Sequence, residues 1–389
     1  MLRVNADTRR LAWDVKLRDE VLMDDPFEAL SMVVSTDEKK TIPEAAVVKV
    51  SADSGAFSKT ITTLKALSGN GVEGRTQQLG AEEEQSTRSL TVYANNFSNA
   101  VNVERYGIDA KEMDAYGIRE KSKPQLARWG KETMGRYKRE AVCERFSSNL
   151  VVAPTSLTQG INANLFYAGV AAPVTYDSTP GTYVTNIVAA APGTPAAGNR
   201  LSQSVLDDLI ETIQLQRNIE GIEMGGSTKW ILMVPTRQKK FILSPGTSNF
   251  YETFKDGDLR GPNNKVIKHV IGSYGPLLMI EDPRSPIATV GGGAVSFAYK
   301  GAGDTENRNL AAGNTRFDVA MILGKGALYE YSMEDVHFED EIQGYKKNQG
   351  IGMFCTKGWR VGEFDLPSGS QTDSSILAKS SALLLCGTN

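Results

Sequence analysis

Histidine and cysteine are scarce, and with them go most of the usual routes to catalysis. The chain has two histidines, His269 and His337, and three cysteines, Cys143, Cys355 and Cys386. The cysteines are far apart, odd in number and without Cys-x-x-Cys spacing. This argues against a disulfide framework or a zinc site and fits a reducing compartment. Long apolar stretches are missing too: no run reaches the ~18 residues that span a membrane. Met1-Leu2-Arg3-Val4-Asn5-Ala6-Asp7 carries no apolar core of a signal peptide. Charge of one sign is also lacking: 43 Lys and Arg face 46 Asp and Glu, a net charge of -3 and a pI near 5.7. Tight sequence-independent binding of nucleic acid needs a basic footprint, and the composition supplies none.

The motifs of common enzyme classes are absent as well. There is no Gly-x-Ser-x-Gly elbow and no Walker-type Gly-Lys-Ser/Thr loop. His337 shares a strand face with Glu339 and Glu341, but no second ligand set accompanies them, so a charged solvent face is the better reading. Cys143 has basic neighbours that lower a thiol pKa, yet no histidine lies near it in sequence, and it reads as a structural thiol. Glu82-Glu83-Glu84 are adjacent carboxylates on a loop and lack the preorganisation of a metal site. The residues point to a protein that is not an enzyme, with no catalytic, metal or cofactor-binding residues and no cofactor.

What is present is size, arms and opposed charge. At 389 residues, 40% hydrophobic and 23% charged, the chain is globular and long enough for two lobes plus extensions. Residues 1–46 are mostly charged with scattered anchors such as Trp13 and Phe27, and read either as an arm that borrows burial from a neighbour or as a terminal helix packed on its own domain. Residues 47–105 read as an extended hairpin. Lys59 to Leu67 and Leu90 to Val103 are strand-like, and more than twenty polar and glycine residues lie between them. Ordinary hairpin turns have about two to five residues.

Within that loop Gly69-x-Gly71-x-x-Gly74 matches the dinucleotide fingerprint. The fingerprint works where a strand feeds a helix that holds the pyrophosphate. Here a polar stretch, a glutamate run and another strand follow, so flexible arm glycines are the better account. A cytosolic nucleotide-binding enzyme using Gly69–Gly74 stays as the alternative.

Residues 118–150 form the clearest helix, with Pro124 near its start. Leu126, Gly130, Met134, Tyr137 and Ala141 share one face; Val142, Phe146 and Leu150 share the opposite one. Arg128, Glu132, Arg136 and Glu140 form an i,i+4 ladder, worth about 0.2–0.5 kcal/mol per pair. Lys131, Lys138, Arg139 and Arg145 leave positive charge in excess. Residues 155–200 are an Ala/Pro/Gly/Thr-rich insertion. Leu201 to Ile219 is a second helix, with Ser204 and Asp207 resembling a capping box and Val205, Leu209 and Ile213 as its core face. Beyond it, Trp230–Val234, Pro276–Ile280, Ala294–Tyr299 and Val319–Leu323 read as buried strands, and Val336 to Ile342 as a half-exposed one. The fold class is α+β.

An acidic arm beside a basic rod makes sense in a chain that binds copies of itself. Glu82, Glu83 and Glu84 are the acidic candidates for that contact; Arg128, Lys131, Lys138 and Arg139 are the basic ones, with Trp13 and Phe27 as arm anchors.

Pieces of the chain, in order, resemble the major capsid proteins of tailed phages with the Hong Kong 97-type fold, most of all the branch of coliphage N-four. They are Gly69-Asn70-Gly71-Val72-Glu73-Gly74 with Leu79-Gly80-Ala81-Glu82-Glu83; Ser98-Asn99-Ala100-Val101; Leu126-Ala127-Arg128-Trp129; Ile231-Leu232-Met233-Val234-Pro235-Thr236-Arg237-Gln238; Ile271 to Glu281; and Ile342-Gln343-Gly344-Tyr345-Lys346-Lys347. The resemblance covers roughly residues 50–350.

The resemblance implies an N-terminal arm (1–46), an extended hairpin loop (47–105) and a peripheral domain with a long spine helix (106–154). The 155–200 insertion follows, then an axial domain (201–330) and return strands of the peripheral domain with a C-terminal tail (331–389). It implies a homo-oligomer of pentamers and hexamers in an icosahedral shell around double-stranded DNA, without sequence-specific DNA contact or a membrane. Scaffolding, portal and decoration proteins are the implied partners. The implied location is the virion capsid, assembled in the host cytoplasm. A phage tail or tube protein is the neighbouring alternative. No covalent cross-link is implied, since no Lys–Asn pair with its carboxylate matches.

Overall fold

The computed structural model describes residues 25–34, 45–51, 57–64, 87–104, 118–144, 165–168, 200–216, 219–224, 226–242, 270–291, 294–299, 315–343, 348–364 and 378–387. In chain order the elements are α1 (Pro26–Ala29), β1 (Ser31–Val34), β2 (Val47–Ser51), β3 (Ser58–Leu64), β4 (Thr87–Tyr93), β5 (Asn95–Glu104) and α2 (Ile118–Glu144). Next come β6 (Leu165–Tyr167), α3 (Gln203–Gln216), β7 (Ile222–Met224), β8 (Ser227–Pro235), α4 (Thr236–Ile242), β9 (Val270–Tyr274) and β10 (Leu277–Asp282). The chain closes with β11 (Ile287–Gly291), β12 (Ala294–Ala298), β13 (Thr315–Leu323), β14 (Leu328–Gln343), β15 (Asn348–Val361), β16 (Glu363–Phe364), β17 (Ala378–Lys379) and β18 (Ser381–Gly387). This is a mixed α+β fold dominated by sheet.

Two sheets organise it. The first has five strands in the order β1-β2-β14-β15-β5. The second has nine strands; β12-β11-β13-β8-β10-β9 form its main path, with β18 on β13, β6 on β18 and β7 on β8.

The continuous apolar runs have a simple cause: the larger sheet is covered on both faces. Along a strand, successive side chains point to opposite faces. In β13, Phe317, Val319, Met321 and Leu323 enter the core that contains α2, while Ala320 and Ile322 enter the core that contains α3. β8 splits in the same way, Ile231 and Met233 against Trp230, Leu232 and Val234. So does β18, with Leu383 and Leu385 against Ala382, Leu384 and Cys386. Each fully buried Val, Leu, Ile or Met contributes roughly 1.5–3 kcal/mol of transfer free energy. Polar residues on either face would forfeit that gain.

The smaller sheet is also two-faced. Val47, Phe97, Leu328, Ile351, Met353 and Trp359 pack toward α2. Val48, Val50, Tyr329 and Tyr331 pack beneath Leu90 and Val92 of the β3–β4 hairpin. The hairpin pairs antiparallel from Ser58↔Tyr93 to Leu64↔Thr87, so its base is seated on the sheet. Its Gly69–Glu84 tip lies outside the described residues.

Several expectations need correcting. For Asp25–Val34 the arm reading gives way to packing on the chain's own domain: Phe27 and Leu30 are buried in its core and β1 pairs with β2. Pro124 lies in the second turn of α2, not the first. The helix lacks a backbone N–H there, at a place where proline is normally costly. The cap of α3 is Ser202, whose Oγ accepts from the Val205 N–H at 3.5 Å; Ser204 bonds the Ser202 hydroxyl, and Asp207 accepts from the Tyr274 hydroxyl instead. Ser381–Gly387, expected within a tail, is a fully buried strand of the larger sheet. Leu165–Tyr167, inside the expected insertion, pairs with it. Phe146, Leu150, His269, Trp13 and the rest of the insertion are outside the described residues, apart from 165–168 and Arg200.

Candidate assembly surface and the charge cluster beneath it

The two halves of α2 have different surroundings. Near its start Gln125 and Arg128 are exposed. From Met134 to Cys143 nearly every residue is buried, because this half lies between the two sheets. Tyr137 packs on Phe97 and Trp359 of the smaller sheet, with ring centroids at 4.7 and 6.1 Å. On the other side Arg139 reaches the end of β10 in the larger sheet. The face predicted from Leu126, Gly130, Met134, Tyr137 and Ala141 is buried throughout.

This placement separates the four basic candidates. Arg128 is 80% exposed and pairs with Glu132 at 3.1 Å, one step of the predicted ladder. Lys131 is half-buried. Lys138 and Arg139 are each 2% exposed, which corrects the expectation that they are surface residues. Lys138 Nζ lies 3.0 Å from Glu28 Oε2 and 3.6 Å from Glu330 Oε2. Arg139 donates to Asp282 through Nε (2.8 Å) and Nη2 (2.6 Å), to the Gly135 carbonyl (2.7 Å) and to Asp25 (3.2 Å).

The cluster extends on both sides. Glu330 also accepts from Lys357 Nζ at 3.3 Å and from the Trp359 indole N–H at 3.1 Å. Glu28 also binds Lys49. Asp25 caps α1 by accepting from the Phe27 N–H, and the Arg139 guanidinium sits over the Phe27 ring, 5.4 Å from its centroid. Phe27 is thus a core residue with no exposed surface, another correction to the assembly candidates.

Electrostatics follow from this geometry. Burial alone would raise the Glu330 carboxyl; Lys138, Lys357 and Lys49 together outweigh it and hold it down to about 2. Asp25 is likewise held below its usual range, burial being outweighed by Arg139 and Lys138. Burial opposes charge on Lys138, yet Glu330, Glu28 and Asp25 push its pKa above the usual lysine value. The cluster ties α1 to α2 and to both sheets.

Sequence reasoning missed the acidic half of this cluster. Two signals were available. Glu330 stands in an apolar run, Leu328-Tyr329-Glu330-Tyr331, where a lone charge implies a buried partner. Asp25-Pro26 is a helix start, a capping residue followed by proline at the first position.

Other candidates resolve simply. His337 Nδ1 lies 3.6 Å from Glu334 and its ring stacks on Phe354; Glu339 is 56% exposed. Among the described residues no group of His, Cys, Asp or Glu is arranged to hold a metal ion, and no helix is long and apolar enough to cross a membrane. Cys143, Cys355 and Cys386 are buried free thiols, and burial pushes each pKa up, that of Cys355 to about 12. The Gly69–Gly74 fingerprint loses its context. The flanking strands β3 and β4 pair antiparallel, whereas a dinucleotide cradle joins parallel strands through a helix.

No protein-family model matches the chain, and no curated protein sequence does. Solved structures do. The capsid of Ralstonia phage GP4 superposes with a TM-score of 0.63 at 14% identity, covering 94% of this chain and 91% of that one. The head of Helicobacter pylori bacteriophage KHP40 gives 0.57 at 13% identity, covering 92% and 93%. The capsid of cyanophage Pam1 gives 0.53 at 11%, covering 90% and 91%. At such identities the likeness is one of fold, and it extends over nearly the whole chain.

Proposed function

We propose that this chain is the major capsid protein of a tailed double-stranded DNA phage, of the Hong Kong 97 type and nearest the coliphage N-four branch. The observation that carries this is the shared fold with phage capsid chains over nine-tenths of both partners. In this reading the five-stranded sheet and α2 are the peripheral domain and its spine, the nine-stranded sheet is the axial domain, and the β3–β4 hairpin reaches a neighbouring copy. The subunits form the pentamers and hexamers of an icosahedral shell, in the virion, after assembly in the host cytoplasm. Scaffolding, portal and decoration proteins are the expected partners.

The physical logic is consistent. Obligate interfaces typically bury ~2,000–5,000 Å², and hairpins and arms supply area without enlarging a core. A chain at -3 does not adhere strongly to packaged phosphates. A purified subunit should give closed shells under negative-stain microscopy. Open tubes would favour a tail protein. Saturable binding of NAD, FAD or ATP with no particles would favour an enzyme.

A further inference from the structure

The outermost strand of the five-stranded sheet is β5, whose only described strand partner is β15, in unbroken register from Asn95↔Lys357 to Glu104↔Asn348. Its middle reads Asn96-Phe97-Ser98-Asn99-Ala100-Val101-Asn102. By side-chain type that stretch is the same in both directions: asparagine at the ends and centre, an apolar residue second from each end, a small residue beside the centre. Phe97 and Val101 pack on the core with α2, while Asn96, Ser98, Asn99, Ala100 and Asn102 are exposed. No charge occurs from Asn95 to Val103.

A long, neutral, unbroken edge is what soluble proteins avoid, with lysines, prolines or bulges placed on it. β5 has none of these. Two of its backbone N–H groups are instead occupied by neighbouring side chains. Asn96 N–H donates to Asn95 Oδ1 and Ala100 N–H to Asn99 Oδ1, each at 2.9 Å. Such side-chain acceptors satisfy the N–H groups of a separate subunit and can yield to a carbonyl on an incoming strand.

We propose that β5 pairs antiparallel with β5 of a second copy, about a two-fold axis through Asn99, so that two five-stranded sheets join into one. The inference rests on the shell-subunit reading above. Pairing about Asn99 sets Asn96 opposite Asn102, Phe97 opposite Val101, Ser98 opposite Ala100 and Asn99 opposite itself. Glu104 falls opposite Ala94, so no charge meets a like charge. The apolar face crosses the joint, because Phe97 of one copy meets Val101 of the other. The partner is a second copy and not a foreign strand, because only self-pairing makes use of the symmetry. The contact is isologous, the form taken by two-fold interfaces.

The test uses the full chain with Asn99→Lys and Asn99→Asp, made separately and together. Asn99 is exposed, so each subunit should keep the wild-type melting curve. Each variant alone places like charges opposite each other and should lower shell yield by about tenfold or more. Mixing the two should restore it. In wild-type protein, hydrogen exchange at Asn96, Ser98, Ala100 and Asn102 should slow on assembly. Wild-type yield from either variant alone, no recovery in the mixture, or unchanged exchange along β5 in assembled shells overturns the pairing while leaving the capsid reading intact. Absence of any wild-type shell overturns the capsid reading itself.

Discussion

Arg139 and Asp282 close a doubly bonded ion pair inside the protein, Nε to Oδ2 at 2.8 Å and Nη2 to Oδ1 at 2.6 Å, although 143 positions separate them in sequence. The pair joins the buried half of α2 to the end of β10, and so joins the helix to the larger sheet. Asp282→Ala removes both bonds; among the described residues the guanidinium then keeps hydrogen bonds to Asp25 and the Gly135 carbonyl. Breaking one partner of a buried pair costs about 3–5 kcal/mol, so urea unfolding of the separate subunit should show a loss of that order. Replacing the network together, Arg139→Met with Asp282→Leu and with Asp25→Asn, which keeps a capping side chain on α1, should recover part of it. A single variant with wild-type stability would mean that the pair does not hold the helix to the sheet.

The Glu330 carboxylate makes part of the stability acid-sensitive. Its folded pKa, about 2, lies below the ordinary glutamate value of 4.5. A depressed carboxylate contributes stability that is complete above its unfolded pKa and is lost as pH falls through the folded one. The loss attributable to Glu330 therefore begins near pH 4.5 and is finished below about 2. Glu330→Gln should be less stable than wild type at pH 7, with the gap narrowing as pH falls through that window. Parallel stability curves from pH 7 to pH 2 would remove Glu330 as the titrating group.

Gly358 sets a steric condition at the corner where the hairpin enters the sheet. A Cβ there would lie 1.8 Å from the Tyr93 carbonyl oxygen and 2.7 Å from its carbon, both backbone atoms that cannot rotate away. Gly358→Ala must push the β4–β5 corner off β15. Overpacking of this kind costs about 1–3 kcal/mol and more where backbone is displaced. The melting temperature of the subunit should fall accordingly. An unchanged melting temperature would show that the corner moves freely.

What the sequence revealed and what it hid follow from the range of the interactions. The face of α2, the core face of α3 and the buried strands Trp230–Val234, Leu277–Ile280 and Val319–Leu323 were legible, because period 3.6 and unbroken apolar runs are local signals. Ala294–Tyr299 carries the same apolar signal and reads as buried, but is not: β12 ends the strand order, with Val295 and Phe297 half-buried and Ser296 and Ala298 exposed. Asp207 reads locally as a capping residue but is used by Tyr274, which a local pattern does not contain. Lys138 and Arg139 look like the other basic residues of the rod. Their burial depends on Asp25, Glu28, Asp282 and Glu330, which reach them from three separate stretches of the chain. The Ser381–Gly387 run was short and terminal, and only its pairing with β13 shows it to be core.

The charge hypothesis for the hairpin survives in narrower form. With Lys138 and Arg139 committed inside their own subunit, the proposed basic partners for Glu82, Glu83 and Glu84 of a neighbour narrow to Arg128 and Lys131. Each exposed pair is worth only about 0–1 kcal/mol, but a shell repeats it at every copy. Reversing the three glutamates to lysine should lower particle yield in low-salt sedimentation and leave subunit melting unchanged. Because surface pairs are screened by salt, the defect should shrink as salt rises. Adding Arg128→Glu and Lys131→Glu to the same chain should restore part of the yield, since the opposed signs are then exchanged. Wild-type yield from the triple reversal at both low and high salt would mean that the elements meet without their charges. Failure of the second pair of substitutions to rescue would point the glutamates at another basic surface.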